Sequence, residues 1–153
     1  MDNTAQVATV ESLATTLIDS INGYEEAAKN TENPRLQEIF RQRASERRQV
    51  LEELRAEIRR LGGNPPDDGS LLGKTHQTWL DLKAAVTGRD DERIVNSVEA
   101  GEDYLKEKFE AALSSGDLTG ESRSVVERVY QSVRSGHDQM SQLKHGMDAD
   151  ANS

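Results

Sequence analysis

Leu61-Gly62-Gly63-Asn64-Pro65-Pro66-Asp67-Asp68-Gly69-Ser70 ends a helix at its glycines, and from Asn64 to Ser70 it cannot be helical. Its paired glycines are a helix stop, its prolines fix φ and remove backbone donors, and Asp-Asp-Gly is turn chemistry. Upstream, Leu36, Ile39, Phe40, Val50, Leu51, Leu54, Ile58 and Leu61 follow a spacing of three and four up to Gly62, which predicts an amphipathic helix. Asn33-Pro34 opens that helix, with Asn as N-cap and Pro at the first helical position. Before it, Val10, Leu13, Ala14, Leu17, Ile18, Ile21, Tyr24 and Ala28 carry the same period over residues 8–31. So short a link between the two predicts an antiparallel helical hairpin.

Downstream, Trp79, Leu80, Leu82 and Val86 predict a short helix over 74–87, ended by Gly88. Ile94, Val95, Val98, Leu105, Phe109, Ala112 and Leu113 predict a third long helix over 91–115, closed by Ser114-Ser115-Gly116-Asp117. Val125, Val126, Val129, Tyr130, Val133, Met140 and Leu143 predict a fourth over 120–145, with a frayed end from about Gly146. Two hairpins are thus joined by residues 62–90. A connector of a few residues would impose up-down-up-down order, whereas one with its own helix can cross the bundle's length and leave the second and third helices parallel. The expected fold is all-α: a ferritin-like four-helix bundle with a long crossover connection carrying a short extra helix. It forms one domain over 1–153, with its core at about 8–145.

Composition narrows the function classes. With 34% apolar and 31% charged residues and few aromatics, the chain suits slender helices with one buried stripe. The absence of cysteine excludes a disulfide framework, a thiol nucleophile and a Cys-ligated metal site. No apolar run reaches the roughly 18–20 residues that span a bilayer, and Met1 through Gln6 lack the features of a secretion signal, so a cytoplasmic protein is expected. A net charge of −9 argues against nucleic acid and anionic membrane as partners. The charge is uneven: residues 34–61 hold eight Arg against five acids, so the remainder carries −12. The preferred reading of that stripe is pairing along a solvated helix face; the other is a docking face for an acidic surface, including a second copy of the chain. No Gly-x-Ser-x-Gly or Gly-rich phosphate loop supports nucleophilic or phosphoryl chemistry, and no catalytic residue is assigned.

Positions equidistant from a hairpin turn lie at one height, since an α-helix rises about 1.5 Å per residue on both sides. With turns near Glu32 and Leu118, Asp19 faces Glu46 in the first hairpin and Gly101 faces Gly136 in the second. Mid-helix glycines cost about 1 kcal/mol each relative to Ala, so this pair implies close packing or room for something else. Glu102 falls in the apolar stripe of the third helix, His137 in that of the fourth, and Arg43 and Arg47 interrupt that of the second. Such charges must pair or bind a cation. The preferred reading is an ion network in which Arg43 or Arg47 bridges Glu102 and Glu46. Next comes a mononuclear metal site of Glu46, Glu102 and His137, and last a dimetal centre, which needs two Glu-x-x-His pairs. Here Gln49 follows Glu46 and Arg134 precedes His137 at that spacing, so neither pair exists. No cofactor is expected beyond, at most, one divalent metal ion. His76, on one face with Trp79, reads as a residue that pins the connector by a hydrogen bond.

Leu61-Gly62-Gly63-Asn64-Pro65, Gly69-Ser70, His76 with Trp79, Gly101-Glu102-Asp103 and His137-Asp138 together resemble a bacterial family of ferritin-like four-helix proteins of unknown function, over about residues 10–145. The resemblance implies the ferritin-like bundle with its crossover and no set activity; the positions that match are Glu102, Asp103, His137, His76 and Trp79. The function expected is that of a non-enzymatic ferritin-like bundle, stress-associated by analogy and self-associating. The alternatives are a metal-binding or redox protein using Glu46, Glu102 and His137, and an adaptor that presents its Arg-rich second helix to an acidic partner.

Overall fold

In a computed structural model, residues 3–66 and 91–151 are described, and they form four helices with no strand among them. They are α1 (Thr4–Asn30), α2 (Pro34–Arg60), α3 (Asp91–Ser114) and α4 (Gly120–Ala151). The chain is all-α, and its helices pack as a four-helix bundle. The turn at Asp67 through Ser70 and the helix over 74–87 with His76 and Trp79 fall outside the described residues. Among those described, no helix is long and apolar enough to cross a membrane.

The helix ends follow from local chemistry. The Asn33 side chain accepts hydrogen bonds from the backbone N–H of Arg35 and Leu36, at 3.0 and 3.4 Å, with Pro34 at the start of α2. At its other end Gly62 takes φ +88°, the Gly63 N–H bonds the Ile58 carbonyl and the Gly62 N–H bonds that of Arg59. This is a Schellman cap, which requires the left-handed backbone that glycine adopts freely. Gly63 is small for a second reason: a Cβ there would lie 2.7 Å from Val7 Cγ1 and 2.9 Å from Glu11 Oε1, where α1 crosses the end of α2. Two boundaries differ from expectation. α1 begins at Thr4, where Gln6 Oε1 accepts from the Thr119 N–H and ties it to the α3–α4 turn. α4 runs through Gly146 to Ala151, because a glycine ends a helix only where the chain turns left-handed, and Gly146 does not.

Hydrogen bonds at the bundle's two ends fix the helix directions. Thr31, just past α1, donates to Asp91 at the start of α3 (2.5 Å). Arg60, at the end of α2, reaches Glu121 and Ser122 at the start of α4. α1 is therefore antiparallel to both α2 and α3, α2 is antiparallel to α4, and α2 and α3 point the same way. α1 packs between α2 and α3, and α2 between α1 and α4.

The buried apolar residues form two clusters rather than one. The first joins Leu13, Leu17 and Ile21 of α1 to Leu51, Leu54 and Ile58 of α2, Leu105 and Phe109 of α3, and Val126, Val129 and Val133 of α4. The second joins Tyr24, Phe40, Ala44, Ile94, Val98 and Met140. Each fully buried Leu, Ile or Phe stabilises the fold by about 1.5–3 kcal/mol. Between the clusters three helices leave a seven-residue gap, 44 to 51 in α2, 98 to 105 in α3 and 133 to 140 in α4, while the apolar stripe of α1 continues from Ile21 to Tyr24 with Ser20 beside it. The polar groups sit in that gap.

Candidate functional site

Arg47 occupies the centre of the gap. Its Nη1 donates to Glu102 Oε1 (2.8 Å) and to Ser20 Oγ (2.7 Å), and its Nη2 donates to Glu102 Oε2 (2.7 Å). Arg47, Glu102 and Ser20 all have zero solvent exposure. The guanidinium carbon lies 5.6 Å from the centroid of the Tyr24 ring, within cation–π range. Burial works against the Arg47 charge, but the Glu102 carboxylate and then the Tyr24 hydroxyl outweigh it and hold the group above its ordinary pKa. Burial first, then the neighbouring carboxylate, pushes the Tyr24 phenol well above its usual value.

Gly136 on α4 explains how so large a cation fits. A Cβ there would overlap Arg47 Nη2 and lie 3.2 Å from Nε and Cδ of Arg43. Of the two expected roles for this glycine, the structure assigns making room: the space is filled by two guanidinium groups. Gly101, opposite in the sequence reading, is buried on α3.

Arg43 reaches outward instead. Its Nη1 donates to Glu46 Oε2 (2.9 Å) and its Nη2 to Gln139 Oε1 (2.7 Å), while Ser132 donates to Glu46 Oε1. Glu46, with its side chain 43% exposed, stands at the α2–α4 rim rather than beside Glu102. His137 also leaves the core, because the buried face of α4 runs through Val129, Val133, Gly136 and Met140, one position short of it. Its Nε2 lies 2.6 Å from Asp103 Oδ1 and its Nδ1 3.3 Å from Asp138 Oδ1. The expected metal triad of Glu46, Glu102 and His137 is thus distributed over three separate sets of partners. Among the described residues, the group whose ligand atoms do converge is Glu99, Asp103 and His137, all within 4.8 Å of one another.

Apolar spacing does not mark Ser20, Asp103 and Ser132 as partners of these charges, and Glu57 joins a further buried pair. Glu57 accepts from Arg60 Nε (2.5 Å) and Nη2 (2.6 Å) and from Ser122, with only 2% of its side chain exposed. The Arg60 hydrogen bonds, helped by Ser122 and opposed by burial, hold its carboxyl below the usual glutamate range. Its signal was available: 50, 54, 57 and 61 continue the buried stripe of α2. Elsewhere on the Arg-rich helix, Arg55 pairs with Glu52 and Arg48 with Glu25.

Residues 5–115, which span α1 to α3, match the model of a family described as a domain of unknown function (DUF2383). Arg47, Glu46, Glu102 and Asp103 lie inside that match and His137 outside it. No curated protein matches the chain.

Proposed function

The chain belongs to the DUF2383 family, and we propose that it is a non-enzymatic helical bundle of ferritin-like arrangement whose central cation is an arginine. In ferritin-like dimetal proteins two ions at mid-bundle are held by about four carboxylates and two imidazoles. Here the observation that carries the reading is the Arg47–Glu102 pair: one guanidinium engages both oxygens of the mid-bundle carboxylate at zero exposure. A divalent ion at that level would have to displace a buried positive charge, and the mutual repulsion grows as the dielectric falls. Glu46 is held at the rim by Arg43 and Ser132, and His137 turns to Asp103 at the α3–α4 seam, so neither faces the mid-bundle carboxylate. The parallel course of α2 and α3 supports the ferritin-like arrangement.

Anaerobic titration with ferrous iron, followed by oxygen, tests the proposal. The expected outcome is fewer than two irons per chain and no absorbing oxo-bridged ferric product. Two irons bound per chain and rapidly oxidised would overturn it.

A further inference from the structure

We propose that Glu99, Asp103 and His137 form a mononuclear site for a zinc-class divalent ion at the α3–α4 seam, away from the buried arginine. Glu99 and Asp103 are four residues apart on α3, so their carboxylates lie one above the other on the same face. His137 projects from α4 onto that face. One ligand atom from each residue falls within 4.8 Å of the other two. Ligands about 2.0–2.2 Å from a tetrahedral zinc ion stand roughly 3.3–3.6 Å apart, so small side-chain rotations bring the three into coordination.

The donor set is one imidazole and two carboxylates, with the fourth position left to water. This pattern suits zinc and related borderline ions better than calcium, which takes six to eight oxygens. Exposure fits the chemistry too. The side chains of Glu99 and His137 are 15% and 16% exposed while that of Asp103 is 49% exposed, so two of the ligands are largely dehydrated and the third is open to solvent. Asp138 stands outside the triad at 3.3 Å from His137 Nδ1. With Nε2 turned to the ion, Nδ1–H donates to Asp138, the second-shell arrangement that fixes the tautomer of a ligating imidazole.

The site has a built-in competitor. Lys144 Nζ lies 3.5 Å from Glu99 Oε2 and partly neutralises the carboxylate that the ion needs. Entry of the ion releases Lys144 from Glu99.

The test is titration of the full chain, prepared without a histidine tag, with cobalt(II) and then zinc, read by visible absorption and calorimetry. One cobalt per chain is expected, with ligand-field bands that zinc removes. Asp103→Asn and His137→Ala should each weaken binding at least about tenfold, Lys144→Met should strengthen it, and Glu46→Gln should leave it unchanged. Circular dichroism keeps the reading clear of folding: Asp103 is half-exposed, so Asp103→Asn remains informative if His137→Ala unfolds. No binding by the intact chain overturns the proposal, as does binding indifferent to Asp103 and His137 or abolished by Glu46→Gln.

Discussion

Glu102 and Asp103 are consecutive carboxylates on α3, and they meet opposite environments. Glu102 turns into the bundle, has no solvent exposure, and takes two hydrogen bonds from Arg47. Asp103, about 100° further round the helix, reaches the α3–α4 seam, keeps half its side chain in water and pairs with His137. The first pair has a rigid frame: Ser20 and Tyr24 from α1, and the space that Gly136 leaves on α4. The second is exchangeable, because water and ions can replace either partner. One residue of helical rotation thus separates a charge that specifies packing from a charge that can bind. A buried pair adds less net stability than its bonds suggest, since desolvation offsets the attraction, but breaking it strands the survivor.

The sharpest way to break the contrast is to orphan Arg47. Glu102→Ala should destabilise the bundle by about 3–5 kcal/mol, because it leaves a buried guanidinium unpaired. Replacing both partners, Arg47→Met with Glu102→Leu, should cost far less than the single change and come close to neutral. Urea unfolding of Arg47→Met, Glu102→Leu and the double variant gives the coupling directly. Equal effects from Glu102→Ala and the double variant would mean that Arg47 finds solvent on its own.

Gly136→Ala probes the same pair from the opposite helix. The added methyl cannot coexist with Arg47 Nη2 where it lies, so a loss of about 1–3 kcal/mol is expected, as for overpacking. In an Arg47→Met background the loss should shrink, because the overlap with Nη2 is gone and alanine is favoured over glycine mid-helix by about 1 kcal/mol, while Cδ and Nε of Arg43 still stand 3.2 Å from the added methyl. A thermal-melt comparison in both backgrounds checks this.

The sequence exposed much of this architecture and little of its pairing. Helices and turns were legible because apolar spacing and caps are local. The polar mid-layer was legible because Arg43, Arg47 and Glu102 interrupt stripes that hydrophobic residues should fill. What a helical wheel does not resolve is one step of rotation: His137 and Gly136 differ by one position, and only packing against α2 and α3 decides that the glycine faces inward. Glu46 likewise lies one position from Arg47 and is drawn to the rim by Arg43, three residues before it on the same helix, and by Ser132 across the seam. Equal height in a hairpin does not mean contact across the bundle.

Two titrations probe buried groups from opposite ends of the pH scale. Glu57 has a lowered folded-state value, so its contribution is present above the unfolded glutamate pKa of about 4.3 and is lost as pH falls through the folded value. Tyr24 is raised, so its contribution is full below about pH 10 and is lost as pH climbs toward the folded value. Stability measured by urea midpoint against pH should therefore fall at both ends. Glu57→Gln should flatten the acid limb and Tyr24→Phe the alkaline limb. An acid limb unchanged by Glu57→Gln would assign it to other carboxylates.

The smallest effect is expected at Asp103. With chelator present, Asp103→Asn should change stability by less than about 1 kcal/mol, the usual range for a pair with a solvent-exposed partner. Asparagine keeps the shape and a hydrogen-bonding oxygen for His137, so only the charge is removed. At 1 M salt the screening length shrinks to about 3 Å, and the remaining difference between wild type and variant should vanish. The loss in Glu102→Ala should persist at that salt concentration, because no counterion reaches Arg47. A salt-insensitive loss of several kcal/mol in Asp103→Asn would place that carboxylate with its buried neighbour, and the division of labour between the two residues would disappear.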